Sequence, residues 1–480
     1  MKLIQHGFEC EFEMNIFINI FFKKDEEGEI ITFFSHENDK INTECKIIFG
    51  GESFNSSYSY SFSNSETDKK LIKKIYSTAV TKAFIRSAKK IRNISLPWGV
   101  MSGIRPAKSV RKFREEGRSD AEIRRLLAGI YEVSEEKIDL AMEVSKNEEE
   151  ILKRIEDNSV SIYIGIPFCP SRCLYCSFVS TDIRYSGKYM EDFVNCLILE
   201  IKKTGEILNS LGMFVQNIYI GGGTPTTLSA EQLTRLLYTV NKHLITKPVD
   251  EFTLEAGRPD TITREKLDAA VSGGVTRISI NPQTMNTETL IKIGRKHTPK
   301  EIEKSFYMAR ELGFSNINMD LIAGLPDETP EMFKYSLEKV IGFAPENITV
   351  HSMCVKRAAD LKRSEVELAE EWYIQKMLSY TQMRMKETDR IPYYMYRQKN
   401  ISGNSENVGY AKRGTESFYN VNIMEEAQTI IALGGGGATK LVFDNDIKRI
   451  FNFKDPYEYI KRFDEILKRK DETETILKSR

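Results

Sequence analysis

The chain has 480 residues, 41% hydrophobic and 29% charged, with 69 basic and 69 acidic side chains and a formal net charge of zero. That is more than one core of roughly 150 residues holds, so two or three domains or one large barrel with additions are expected. Zero net charge predicts no polyanion partner, and no apolar run reaches the roughly 18 residues that cross a bilayer.

The N-terminal sequence lacks the long apolar stretch of a signal peptide. Phe8-Glu-Cys-Glu-Phe-Glu-Met14 and Tyr58-Ser-Tyr-Ser-Phe-Ser63 alternate with period two, and Asn15–Phe22 is a short apolar run broken by Asn. Residues 1 to about 65 therefore read as a small antiparallel sheet. Residues 67–155 are helical in pattern, with a basic amphipathic helix over Lys69–Lys90 and Ser119 and Ser134 as N-caps before acidic first turns. Lys82 to Arg125 carries a balance of +9, which reads first as a solvated helix face.

From about 160 the pattern changes. Strands are expected at Ile162–Ile166, Asn217–Ile220, Glu251–Glu255, Arg277–Asn281, Asn316–Leu321 and Asn347–His351. Helices are expected at Lys188–Leu208, Ser229–His243, Thr263–Ser272, Pro299–Leu312 and Pro330–Phe343. Strands alternating with crossover helices make an α/β fold, a parallel sheet curled into a partial (β/α)6 barrel. The expected domains are an N-terminal α+β region over 1–155, the barrel over 156–385 and a C-terminal α+β extension over 386–480. Gly434–Gly437 reads as a turn.

Seven cysteines make no disulfide framework, and their scatter suits a reducing cytoplasm. Cys10, Cys45, Cys196 and Cys354 read as buried small hydrophobes. Cys169, Cys173 and Cys176 stand apart, spaced C-x3-C-x2-C just after the first barrel strand. Three thiolates can hold three irons of a 4Fe-4S cluster and leave the fourth open. Zinc is the competing reading, but no fourth Cys or His lies nearby: the next downstream His is His243. At the end of the next strand, Gly221-Gly222-Gly223-Thr224-Pro225-Thr226 lets backbone approach a ligand closely.

These blocks resemble the radical S-adenosylmethionine (SAM) enzymes. Within them the chain is similar to the oxygen-independent coproporphyrinogen III oxidase (dehydrogenase) group, most closely its HemZ-type branch. The matching residues are Tyr163-Ile-Gly-Ile-Pro-Phe-Cys169 with the cysteine triad, Gly221–Thr226, Arg277–Gln283, Gly294-Arg-Lys-His297 and Asp320–Pro326. Trp98–Pro106 and Pro392–Lys399 extend the likeness over most of the chain.

The resemblance implies that Cys169, Cys173 and Cys176 hold the cluster and that the SAM amino and carboxylate groups chelate its open iron. It sets Tyr175 against the adenine or ribose, and Gly222, Gly223 and Thr224 at the methionyl end. Arg295 would pair with the SAM carboxylate, and Gln283 and Asp320 with the ribose hydroxyls. Glu255 and Tyr163 would belong to a second, adjacent SAM site. No side chain is expected to be catalytic beyond the cluster and SAM.

The implied reaction is oxidative decarboxylation of two propionates of coproporphyrinogen III to vinyl groups. A 5′-deoxyadenosyl radical drives it, and a low-potential donor such as flavodoxin or ferredoxin supplies the electron. Arg172, Arg184 and Arg105 are candidate contacts for the tetra-anionic tetrapyrrole. Two departures are visible. Gly165 stands where many relatives have His, and Phe178 where the well-studied oxidases have Cys. They keep open a heme chaperone that turns nothing over; a separate alternative is a radical SAM enzyme on another substrate, with the basic 82–125 stretch touching nucleic acid.

Overall fold

The computed structural model describes residues 1–61, 69–176, 180–354, 369–398, 405–444 and 446–479, the side chains of 70, 71 and 371 aside. Phe178 lies outside the described residues. The chain forms two compact units, Met1–Met142 with Arg397–Glu406, and Glu143–Tyr396 with Asn407–Arg480.

In the first unit β1 (Lys2–His6), β2 (Glu29–Glu37), β3 (Lys40–Phe49) and β4 (Glu52–Ser61) form one sheet in that order. Two expectations fail here. Phe8–Met14 and Asn15–Phe22 are not strands: Glu11–Phe21 is helix α1, burying Met14, Phe17, Ile18 and Phe21. Those four recur at helical spacing, so one helix face buries what a half-buried strand would leave partly wet. With that helix as a crossover, β1 joins β2 in parallel, so the sheet is not purely antiparallel.

The basic helix α2 (Lys69–Ala88) packs on the sheet: Thr43 donates to the Ala79 carbonyl at 3.1 Å and Ser56 to that of Ala83 at 2.6 Å. Next come α3 (Pro106–Glu115) and α4 (Asp120–Gly129), the latter opening on a Ser119–Glu122 capping box. Much of the charge over 82–125 is spent locally, with Lys82 on Glu132, Arg114 on Asp120 and Arg124 on Asp139. Trp98 is buried and donates to Glu406 at 2.7 Å, and Lys137 pairs with the same carboxylate at 2.7 Å.

Helix α5 (Glu135–Leu152) leads into the second unit. There the chain alternates as expected: β5 (Ser159–Ile166), a short pair β6 (Phe168–Cys169) and β7 (Thr181–Asp182), α6 (Ile183–Ser186), α7 (Met190–Ser210), β8 (Phe214–Gly222), α8 (Ala230–Leu244), β9 (Glu251–Glu255), α9 (Arg264–Ser272), β10 (Arg277–Ser279), α10 (Thr287–Lys292), α11 (Pro299–Glu311), β11 (Ile317–Ala323), α12 (Pro330–Gly342) and β12 (Asn347–Ser352). Ser229, Thr263, Thr298 and Thr329 cap their helices.

The six strands between the crossover helices lie parallel in the order β5-β8-β9-β10-β11-β12, the α/β partial barrel anticipated from their pattern. The rest of the chain is α13 (Glu371–Glu387), β13 (Arg390–Tyr396), β14 (Asn407–Lys412), α14 (Phe418–Glu425), β15 (Ile430–Gly434), β16 (Ala438–Val442), β17 (Ile447–Phe451), α15 (Pro456–Lys461) and α16 (Phe463–Lys478). These later strands continue the same sheet at both ends. β14 pairs antiparallel with β12, and β15 pairs parallel with β5. The boundary expected at 386 from the change of pattern thus falls within one sheet, of eleven strands among the described residues.

Period two sorts the strand residues onto two faces. Ile162, Ile164, Ile218, Ile220, Phe252, Leu254, Ile278, Met319 and Val350 share the apolar face. Tyr163, Tyr219, Thr253, Glu255, Arg277, Asp320 and His351 share the other, so the inner face of the barrel is polar.

Candidate functional site

The site is built from the carboxyl ends of the parallel strands, where barrels of this kind carry their ligands. In register, Gly165 faces Gly221, Ile166 faces Gly222, and Ser279 faces Glu255. The cysteine loop leaves β5 through Pro167 and is pinned from several sides. Thr224 N–H donates to the Phe168 carbonyl at 2.7 Å and Gly223 N–H to that of Ile166 at 2.8 Å. Leu174 N–H reaches Ile293 at 3.1 Å, and Cys176 N–H reaches the Cys173 carbonyl at 3.0 Å.

Cys173 is buried, and Cys169 and Cys176 are half-buried. Cys169 Sγ lies 3.4 Å from Thr224 Oγ1, and Cys173 Sγ accepts from Arg258 Nη1 at 3.8 Å. Among the described residues no three His, Cys, Asp or Glu side chains are gathered as a metal site, so the thiols share a loop without converging on one point. As a donor set they fit an iron–sulfur cluster: soft sulfur ligands, one with a charged N–H donor at its sulfur. The scattered cysteines divide. Cys10 and Cys45 are buried, with burial pushing their thiols up to about 11 and about 12, whereas Cys196 and Cys354 are half-buried.

The glycine run sits against that loop. A Cβ on Gly223 would lie 2.5 Å from the Phe168 carbonyl oxygen, and Gly222 holds φ at 106°, so neither position accepts a side chain. Because the Gly223 and Thr224 amides are already bonded, the run offers a ligand carbonyl oxygens and the Thr224 hydroxyl. That set suits an ammonium better than a carboxylate.

Arg295 is buried and reaches across the site. Its Nη1 donates to the Gly257 and Asn281 carbonyls, both at 3.2 Å, and its Nη2 to Tyr175 Oη at 3.1 Å, while its Nε has no partner among the described residues. Gln283 has φ of 68°, a left-handed strain clamped by its N–H on the Asp320 carbonyl and by Ile322 N–H on its own carbonyl, both at 2.9 Å. Asp320 accepts from Asn318 at 2.7 Å, and His351 Nε2 lies 3.8 Å from it. Burial works against the Asp320 charge, but His351, Asn318 and Arg277 outweigh it and hold the carboxyl below its ordinary range.

Glu255 lies beside Tyr219, whose hydroxyl donates to it. Burial pushes its carboxyl up to about 7; the Tyr219 and Gly222 hydrogen bonds and Arg277 pull downward, and Asp320 pushes upward. Tyr163 stacks with Tyr219 and with Tyr419 of α14, both at 6.3 Å, and the last two stack at 4.5 Å.

The structure thus gathers Tyr163, Tyr175, Gly222, Gly223, Thr224, Glu255, Gln283, Arg295 and Asp320 around the cysteine loop on one rim. The three arginines suggested for an anionic substrate are placed differently. Arg172 is exposed on the loop, Arg184 forks onto Asp182, and Arg105 stands at the start of α3 in the first unit. Sequence reasoning missed Arg258, Tyr219, Tyr419, His351 and Arg277. Arg258, Tyr219 and His351 stand near strand ends beside residues already singled out, which was the available signal.

The sequence pattern of the radical SAM superfamily matches residues 163–340. The oxygen-independent coproporphyrinogen-III oxidase-like protein HemZ of Bacillus subtilis is 41% identical over 413 residues, 84% of this chain and 82% of that one. The heme chaperone HemW of the same organism is 39% identical over 203 residues, 41% of this chain and about half (51%) of that one. The oxygen-independent coproporphyrinogen III oxidase of Escherichia coli is 30% identical over 197 residues, 41% of this chain and 42% of that one. The solved structure of the Escherichia coli coproporphyrinogen III oxidase HemN, a radical SAM enzyme, superposes with a TM-score of 0.53 at 22% identity, over 67% of this chain and 72% of that one. No helix among the described residues is long and apolar enough to cross a membrane.

Proposed function

We propose that this chain, which belongs to the radical SAM superfamily and within it to the HemZ-type oxygen-independent coproporphyrinogen-III oxidase-like family, is a coproporphyrinogen III dehydrogenase. Its cofactors are those of the superfamily, a 4Fe-4S cluster and S-adenosylmethionine. The observation that carries the reading is the identity with the oxidase-like HemZ protein across four-fifths of both chains, together with the cysteine loop and Glu255 on one rim.

Held by these residues, the cluster and SAM would supply one-electron radical chemistry able to remove one hydrogen atom from the β-carbon of a propionate. The propionate then loses carbon dioxide and one electron and becomes a vinyl group, with the electron passing to an external acceptor. Two such rounds give protoporphyrinogen IX. A low-potential protein such as flavodoxin or ferredoxin would supply the starting electron.

The residues have the following parts. Cys169, Cys173 and Cys176 hold the cluster. The Gly222 and Gly223 carbonyls and the Thr224 hydroxyl accept from the SAM amino group, and Arg295 pairs with its carboxylate, for which a buried planar guanidinium is well shaped. Gln283 and Asp320 hold the ribose hydroxyls, and Tyr175 lies along the adenosine. Glu255, with Tyr163 beside it, takes the ammonium of a second SAM. Tyr219 and Tyr419 fix Glu255 and wall the polar lumen from water. Arg184 is poorly placed as a propionate contact, because its fork is engaged by Asp182.

The likeness to the heme chaperones over the same barrel supports a second reading, heme binding without decarboxylation. One anaerobic assay separates the two. The cluster is reconstituted, SAM, reductant and coproporphyrinogen III are added, and products are analysed by mass spectrometry. Loss of two carboxyl groups matched by 5′-deoxyadenosine is expected. 5′-Deoxyadenosine with intact porphyrinogen, alongside stoichiometric heme binding, would replace the dehydrogenase by the chaperone.

A further inference from the structure

The loop after β9 carries an arginine whose guanidinium is fully engaged at the cysteine loop. Arg258 is 3% exposed. Its Nε and Nη2 fork onto the Asp260 carboxylate at 3.0 and 2.9 Å. Its Nη1 donates to the carbonyl and the hydroxyl of Ser171, both at 3.0 Å, and to Cys173 Sγ at 3.8 Å. Ser171 lies between the first two cysteines, so one side chain touches both the backbone of the loop and the sulfur of one of its ligands.

Two physical consequences follow. The Ser171 bonds fix the turn from Cys169 to Cys173 and with it the direction of the Cys173 thiolate. The N–H···S bond draws electron density from that sulfur, and in a buried, low-dielectric setting it favours the more negative, reduced state of an attached cluster. Asp260 orients the fork and offsets most of its net charge, so the effect rests on one aimed N–H. Lysine has no fork and cannot reproduce the contacts to Asp260, Ser171 and Cys173 at once.

We infer that Arg258 is a positioning residue that sets the reducing power of the cluster through Cys173. The inference rests on the cluster reading of Cys169, Cys173 and Cys176.

The test is made on the full chain after anaerobic reconstitution. Iron and acid-labile sulfide per chain, and the midpoint potential from EPR-monitored titration, are measured for wild type, Arg258→Lys and Arg258→Gln. Both variants are expected to keep most of their iron and to shift the midpoint to more negative potential. At a fixed poise the reduced-to-oxidised ratio should fall roughly three- to tenfold. A role confined to holding the loop would lower occupancy and leave the midpoint of the retained clusters unmoved, and that result overturns the inference.

Should both variants lose the cluster, reduced wild-type protein grown with guanidino-15N arginine is examined by ENDOR. A weak 15N coupling to the cluster is expected, and its absence overturns the inference. Wild-type protein that takes up no iron would instead sink the cluster reading itself.

Discussion

Tyr219 donates its phenolic hydrogen to the carboxylate of Glu255, one strand away on the polar inner face. Around this pair stand Tyr163 from β5, Tyr419 from α14, Arg277 from β10 and Asp320 from β11. Burial is the largest influence on Glu255 and lifts its carboxyl from 4.5 to about 7. An ammonium partner needs the anion. SAM affinity is therefore expected to strengthen as pH rises through 7 and to level off above it. Calorimetric titration with SAM over the near-neutral range checks this. Glu255→Gln should flatten the profile and cost about ten- to a hundredfold in affinity at high pH. An unchanged profile in that variant would remove Glu255 from the ammonium site.

The same lift has a folding consequence of opposite sign. A carboxyl raised above its unfolded value loses stability as pH rises from 4.5 through 7, so Glu255→Gln should stabilise the cofactor-free chain at alkaline pH.

The three loop cysteines should behave alike and unlike the rest. Replacing Cys169, Cys173 or Cys176 by Ala should remove most of the iron and the visible absorbance after reconstitution. Cys196→Ala, on helix α7, should leave both intact. Full iron retention in any of the three variants would exclude that residue as a ligand.

Gly165 should tolerate no side chain. A Cβ there would lie 2.4 Å from the Gly435 carbonyl oxygen, and both partners are backbone. Gly165→Ala is expected to cost about 1–3 kcal/mol, read from the denaturant midpoint. A variant as stable as wild type would mean that β15 yields there. The departure from the His of many relatives thus has a local cause: the backbone after β15 fills the space a side chain would need.

His297 is 3% exposed, and neither ring nitrogen has a hydrogen-bond partner among the described residues. Burial first, then Arg295 and Arg258, lowers its titration from 6.5 to about 4. The unfolded chain therefore takes up this proton before the folded one does. Stability should fall as pH drops from 6.5 to about 4 and then level, by about 3 kcal/mol from this residue. His297→Gln should remove that part of the slope in urea unfolding measured across the window. An equal slope in the variant would show that other groups carry it.

The barrel was legible because each strand alternates on its own and each crossover helix announces itself with a cap. The blocks at the strand ends located the rim residues from Tyr163 to Asp320. Other features depend on partners distant in the chain. Helix α1 was hidden because Asn15–Phe22 satisfies both a short strand and a helix face, and packing decides between them. The pairing of Ile430–Gly434 with Ser161–Gly165 joins segments some 270 residues apart, and no local pattern encodes a hydrogen-bonding partner. Tyr419 and His351 read as ordinary core or strand residues until the sheet brings them to Glu255 and Asp320. Arg258 carries no local signal, because the sulfur its fork reaches lies 85 residues earlier in the chain.

The parallel pairing of β15 with β5 also bears on how the chain keeps to itself. β5 is the strand from which the cysteine loop departs, and β15 occupies its otherwise unpaired side. A chain cut before Ile430 would turn β5 into a raw sheet edge, apolar on one face and ready to recruit a strand from another molecule. Light scattering should show more self-association for such a truncation than for the 480-residue chain. The last segment is then a guard against aggregation, and shortening this protein from its C-terminus is the wrong way to simplify it.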